Sequence, residues 1–356
     1  DLISGAQLKD HVRSVLMARG LDSHPVISDT RRFRACEAPL QVTPMFGGYK
    51  TVRLSCPDID GFKIAIRTQI DSFVDDVTET GPNLSREAGF AKFSKDLEIV
   101  KSFGARFTVY EREQIRQIEP GLKPIYCKAV LMDDTCAVSS PADLTDAYVA
   151  LFQSLGGVVE QTKVTGLRQK DVGWCVECGA NSFTADDLVL SAGAWSAEMA
   201  SWLDYRIPMA WERGYHMHLE PGEAPALHRA IHDIEAGFVM APMKAGLRVT
   251  SGVELTDRDA PPNYKQINQA VAMARQAYDM KDQLDQTPWM GRRPTLIDSL
   301  PMIGAAPRHD GLWFNFGHQH LGLSLAPGSA QLLTALIDNT PPSMDAAAFS
   351  PTRFRL

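Results

Sequence analysis

"GLWFNFGHQHLGLSLAPGSAQLLTALI", residues 311–337, decides how the rest of the chain reads. It reads as strand, turn and helix, with Gly317 and Gly322 on either side of an apolar turn that leads into the final helix. Such a junction aims backbone N–H groups and a helix N-terminus at an electron-rich ligand. A related junction lies earlier, in "DLVLSAGAWS" (187–196), where Ala192, Gly193 and Ala194 follow a strand. Small residues there let backbone approach a bulky anionic group, and ligands of open α/β sheets bind outside the carboxyl ends of strands.

Working back to the N-terminus, "DLIS", "QLKDHVRSVLMARG" and "HPVISD" read as a βαβ unit over 1–29. The glycine fingerprint of a dinucleotide turn would fall on Gly5, Gln7 and Asp10. Gly5 can make the turn, but Gln7 puts a long side chain where phosphate passes. Asp10 adds a carboxylate that competes for the helix's positive end. Asp29 closes the second strand, where the pattern places an acid for ribose hydroxyls.

Between these ends, alternation predicts strands in 49–55, 62–68, 158–170, 173–179, 181–196, 207–220, 237–244 and 246–255. Helical spacing predicts helices over 85–104, 111–122, 141–157 and 264–284, the second stopped by Pro120. The resulting order suggests two interleaved domains. Cys175 and Cys178 form a C-x-x-C, but no second pair follows, so "GWCVECG" reads as a strand.

The chain has 356 residues, 44% hydrophobic, with six cysteines and a formal net charge of −7. That balance argues against nucleic acid as a partner. Sparse cysteine favours a reducing, cytoplasmic location, with a peripheral place on a membrane as the alternative, and no apolar run is long enough for a transmembrane segment. No charged-then-apolar leader is recognised, and the lack of an initial Met is compatible with trimming.

Three segments together resemble the FAD-dependent D-amino-acid dehydrogenase and oxidase superfamily, which includes glycine oxidase and sarcosine oxidase. They are "DLVLSAGAWS", "WMGRRPTLIDSLPMIGAAP" (289–307) and "LWFNFGHQHLGLSLAPGSAQLL" (312–333). The resemblance implies an α/β fold in which a Rossmann-like FAD-binding domain (1–40, 140–205 and 298–340) is interleaved with an antiparallel-sheet substrate domain (41–139 and 206–297). It assigns FAD to Gly5, Ala6, Gln7, Asp29, Val164, Ala192, Gly193, Ala194, Trp195, Gly317, His318, Gln319, Leu321, Gly322, Leu323 and Ser324. Gln319 stands where close relatives often carry Gly.

For catalysis the resemblance points to Arg293, Tyr215 and His318. A guanidinium forks onto a carboxylate, so Arg293 would clamp an amino-acid substrate, while Arg292 reads as a surface charge. Tyr215, in "ERGYHMHLE", would help orient the substrate. The pairs His216/His218 and His318/His320 have H-x-H spacing, but neither has a further ligand nearby, so no metal is expected and His318 is placed near a flavin edge. The implied reaction is oxidation of the CH–NH bond of a D-amino acid or glycine derivative, with oxygen, a quinone or a carrier protein taking the electrons. The alternative is a flavin-free relative serving as a binding or scaffold subunit, which Gln7, Asp10 and Gln319 favour. A metal hydrolase built on the H-x-H pairs lacks its remaining ligands.

Overall fold

The computed structural model describes residues 41–42, 52–53, 90, 97–99, 101–133 and 137–356. The predicted βαβ unit, with Gly5, Ala6, Gln7, Asp10 and Asp29, lies outside the described residues, as does the 62–68 strand. Strands β1 (Gln41–Val42) and β2 (Val52–Arg53) form an antiparallel pair. Within the predicted 85–104 helix, residues 90, 97–99, 101 and 102 are helical, and Gly104 follows at φ 79°.

β3 (Phe107–Glu111) and β4 (Lys128–Met132) pair across α1 (Arg112–Ile118). α2 (Pro141–Ser154) starts as its sequence dictates: Ser140 Oγ accepts the Asp143 N–H at 3.2 Å, and Pro141 occupies the first turn. The predicted 158–170 strand is reduced to β5 (Gly166–Gln169). Val158, 75% exposed, has no sheet face to cover, so alternation there found no partner. β5, β6 (Trp174–Cys178) and β7 (Asn181–Ala185) make a three-stranded antiparallel sheet. Cys175 and Cys178 are buried free thiols within it.

β8 (Leu188–Leu190) leads through a 3-10 turn (Gly193–Trp195) into α3 (Ser196–Ser201). The largest sheet then follows: β9 (Met209–Pro221), β10 (Ile231–Asp233), β11 (Phe238–Met243), β12 (Gly246–Leu255), β13 (Met280–Gln283) and β14 (Trp289–Leu296). The order is β10-β11-β12-β9, with β13 and β14 sharing the far edge of β9. α4 (Lys265–Ala277) covers one face, burying Ile267, Ala270, Ala274 and Ala277 against Tyr215, Met217, Leu219, Met240 and Val249.

The predicted 264–284 helix therefore ends early. Tyr278 is extended and buried, its hydroxyl donating to Pro225 O at 3.1 Å, and Met280 pairs with Pro221. Sheet pairing and burial outweigh helix propensity in those residues.

β15 (Met302–Ala305) and β16 (Leu312–Phe316) complete a second sheet with β8, ordered β15-β16-β8. β16 runs parallel to β8, Leu312 opposite Leu188 and Phe314 opposite Leu190. Thus strands from 188–190 and 302–316 meet across the whole intervening antiparallel sheet in sequence. α5 (Gly322–Ile337) places Leu332 and Leu333 against Ile303. Among the described residues, no helix is long and apolar enough to cross a membrane.

Candidate functional site

The two sheets meet where β14 passes the loop that leaves β16. Thr295 bridges to His318, and the Gln319 N–H donates to Pro294 O at 3.0 Å. This stitch sets Arg293 beside the 317–324 loop. Arg293 lies opposite Glu212 in the β14/β9 ladder, on the sheet face that also carries Gly214. Its guanidinium spreads over Gly214, whose missing side chain makes the space: a Cβ there would lie 2.0 Å from Nη2 and 2.4 Å from Nη1.

Arg293 Nη1 is shut off from solvent. Burial draws its pKa down to about 10, partly offset by Glu212, which leaves it charged at neutral pH. Arg292, its neighbour, read from sequence as a surface charge, is partly exposed, with its side chain 28% accessible, and is tied to the backbone. Its Nε donates to Arg258 O at 2.8 Å, which turns the side chain away from its neighbour's role.

The loop after β16 carries the histidines. His318 Nε2 is 2.8 Å from Ser329 Oγ, and burial pulls its pKa down to about 4. His320 turns the other way and touches the Glu212 carboxylate through Nε2; the two side chains are 5% and 6% exposed. Burial, then the Arg293 charge, lowers the His320 pKa against the opposing pull of Glu212. For Glu212 burial works upward, but His320, Arg293 and the Thr295 hydroxyl outweigh it, and the net shift is down. Among the described residues no cluster has the makings of a metal site.

Gly317 at φ 83° and Gln319 at φ 49° turn the chain. The left-handed conformation at 319 suits Gly best and costs a side chain some strain, a physical reason for small residues at this position. Leu321 is buried and offers no side-chain cap to α5, so the N–H groups of Gly322, Leu323 and Ser324 stay uncapped by side chains. On the parallel neighbour β8, the turn Ala192–Trp195 occupies the same end. Gly193 sits at φ 55° with open space where a Cβ would be, and Ala194 O accepts from Trp211 Nε1 at 3.1 Å. Trp195, 46% exposed, has Arg258 and Arg292 over its ring at 5.5 and 5.9 Å. Val164 is half-buried in the segment preceding β5.

Tyr215 is not brought to Arg293. It points to the α4-covered face, 1% exposed, where its hydroxyl donates to Glu254 Oε2 at 2.6 Å and accepts the Asn263 N–H at 3.0 Å. Arg213 joins the same network through Nη2, 2.7 Å from Glu254 Oε2. Strand alternation accounts for this, since residues 213 and 215 face opposite to 212 and 214. Conversely, sequence reading left Glu212 unremarked and weighed His320 only as half of an H-x-H metal pair. A carboxylate two residues before a strand glycine, on its face, and the second histidine of an H-x-H were the available signals.

These elements converge at the carboxyl ends of two parallel strands, the place where open α/β sheets hold ligands. Asn315 Oδ1, Gln319 Nε2 and Ser196 Oγ are buried there or nearby without hydrogen-bond partners among the described residues. Buried polar atoms in this state fit a polar cofactor laid against them. Residues 77–336 match the model of the DAO family, FAD dependent oxidoreductase, and the chain belongs to that family, whose cofactor is FAD.

A D-amino-acid oxidase of Bradyrhizobium diazoefficiens is 29% identical over 274 residues, 74% of this chain and 64% of that protein. A glycine oxidase of Pseudomonas aeruginosa is 31% identical over 237 residues, 65% of this chain and 64% of its own length. The chain thus spans just under two thirds of these curated relatives. The crystal structure of glycine oxidase from Geobacillus kaustophilus superposes with TM-score 0.66 at 19% identity, covering 82% of this chain and 81% of that one, and shows a shared fold.

Proposed function

We propose that this chain is an FAD-dependent oxidoreductase that oxidises the CH–NH bond of a small amino acid, a D-amino acid or glycine derivative, to the imino acid. The carrying observation is Arg293: a charged guanidinium, its Nη1 shut off from solvent, packed against Gly214 beside the loop that follows β16. A fork of this kind binds a carboxylate through two N–H donors, which orients an amino acid and disfavours molecules lacking the acid. FAD, when bound, supplies the acceptor for the hydride leaving the substrate Cα. The 317–324 loop and the uncapped start of α5 provide N–H groups for the electron-rich edge of the cofactor, and Ala192, Gly193 and Ala194 allow close backbone approach to it.

Holding the substrate by its carboxylate fixes Cα in position, and positioning of this kind is the main demand on the protein. His318 and His320, both held neutral by burial, add no competing positive charge beside Arg293. The division into an FAD domain (1–40, 140–205, 298–340) and a substrate domain (41–139, 206–297) belongs to the same proposal. So do the flavin roles of Gly5, Ala6, Gln7, Asp29 and Val164, and a cytoplasmic location. Purified protein should be yellow, and a D-amino acid or glycine derivative should bleach it anaerobically. A colourless protein that refuses added FAD contradicts the reading and favours the scaffold alternative. Reoxidation by air or only by a quinone distinguishes an oxidase from a dehydrogenase.

A further inference from the structure

We propose that Glu212 and His320 form a proton-accepting pair beside Arg293, so that capture of a substrate carboxylate is accompanied by uptake of one proton. The inference rests on the reading of Arg293 as carboxylate clamp.

Its geometry is a ladder pair with a third group attached. Glu212 is directly across from Arg293, and His320 closes on the Glu212 carboxylate from the loop after β16, both side chains almost wholly buried. Charged and titratable groups face the pair from several elements. Arg293 comes from β14, His216 from farther along the same face of β9, and His318 from the loop. Thr295 and Ser329 contribute hydroxyls, and Arg213 faces the opposite side, bound to Glu254. His216 and His318 titrate near 3 and 4, so neither is charged at neutral pH.

Without substrate, Glu212 offsets part of the Arg293 charge and burial keeps His320 neutral. A carboxylate arriving at Arg293 without an ammonium of its own, as acetate, benzoate or the free-amine form of an amino acid does, adds one negative charge to a water-poor site, a costly arrangement. It also screens the Arg293 field that holds the His320 pKa down, so the added charge is cancelled most readily by a proton on the pair. Two coupled groups share that proton, which belongs to neither alone. The complex then holds one more proton than the free protein, and carboxylate binding weakens as pH rises, by up to about tenfold per unit.

The test uses the FAD-loaded full chain with acetate and benzoate as probes. Kd is read from the perturbed visible flavin absorbance between pH 6 and 9, and proton uptake from an indicator dye in weak buffer. The expected result is a Kd that climbs with pH and an uptake approaching one proton per ligand, with both effects lost in Glu212→Gln and in His320→Asn. A merely structural role would weaken binding in these variants while keeping the pH slope. A pH-independent Kd without proton uptake in the wild type overturns the inference and leaves the clamp standing, as does an unchanged slope in both variants. Failure of both probes to bind the wild type, or equally tight binding by Arg293→Ala, overturns the clamp reading and this inference with it.

Discussion

Gly214 forms the floor beneath Arg293: a Cβ at 214 would fall 2.0 Å from Nη2 and 2.3 Å from Cζ of the guanidinium. The clash is with the far end of a flexible side chain, so the sheet can survive it while the guanidinium moves. Gly214→Ala should raise the KM for the amino-acid substrate at least about tenfold, near 1.4 kcal/mol, because small displacements of a positioning group are costly. Flavin content should be unchanged. Steady-state kinetics with an absorbance check of bound flavin measures both, and an unaltered KM would remove Arg293 from the substrate site.

Removing the guanidinium itself is a harsher change. Arg293→Ala should cost about 2–4 kcal/mol in kcat/KM, and Arg293→Lys should recover only part, since an ammonium cannot offer two parallel donors. The same kinetics apply, with D-alanine and glycine as substrates. Full recovery by lysine would show that charge alone matters.

Tyr215 separates a structural role from a catalytic one. Tyr215→Phe deletes its hydrogen bond to Glu254 and strands the Asn263 N–H, at an expected loss of about 1–3 kcal/mol of stability. Substrate KM should stay within about twofold, because the side chain lies on the α4-covered face, opposite the one that carries Arg293. Chemical denaturation and kinetics on the same variant check the two halves.

Acid stability follows from the depressed histidines. Burial lowers the pKa of His216 to about 3 and that of His318 to about 4, from an unfolded value near 6.5. Below pH 6.5 the unfolded chain binds protons that the folded chain refuses, so stability falls as pH drops toward 4. Tm should be flat from pH 8 to 7 and decline steadily from 6.5 to 4.5. His318→Asn, which can keep a polar contact to Ser329, should soften that decline.

Much of this architecture was legible. The 311–337 segment announced strand, turn and helix because its glycines and apolar spacing are local properties, and the family likeness carried by 187–196, 289–307 and 312–333 agrees with the matched family and fold. Arg293 was singled out through the R-P pair that the family resemblance marks, now in β14, and its part in holding substrate belongs to the proposed function. What stayed hidden depends on tertiary contact. The Glu212–His320 contact joins residues far apart in sequence, and the orientation of Tyr215 depends on which face of β9 the helix α4 covers. The segment after Ala277 has helical spacing but pairs with β9 instead, and Val158 alternates without a sheet to join.

In the proposed function, Arg293 delivers an amino acid to a bound flavin. The most direct measurement is anaerobic stopped-flow reduction of the FAD-loaded protein by D-alanine and by glycine, wild type against Arg293→Ala. Bleaching of the flavin by at least one of these substrates is expected in the wild type, with at least about tenfold more substrate needed for half-maximal rate in the variant. A flavin that neither substrate nor other small D-amino acids reduce, or reduction indifferent to the loss of Arg293, would contradict it.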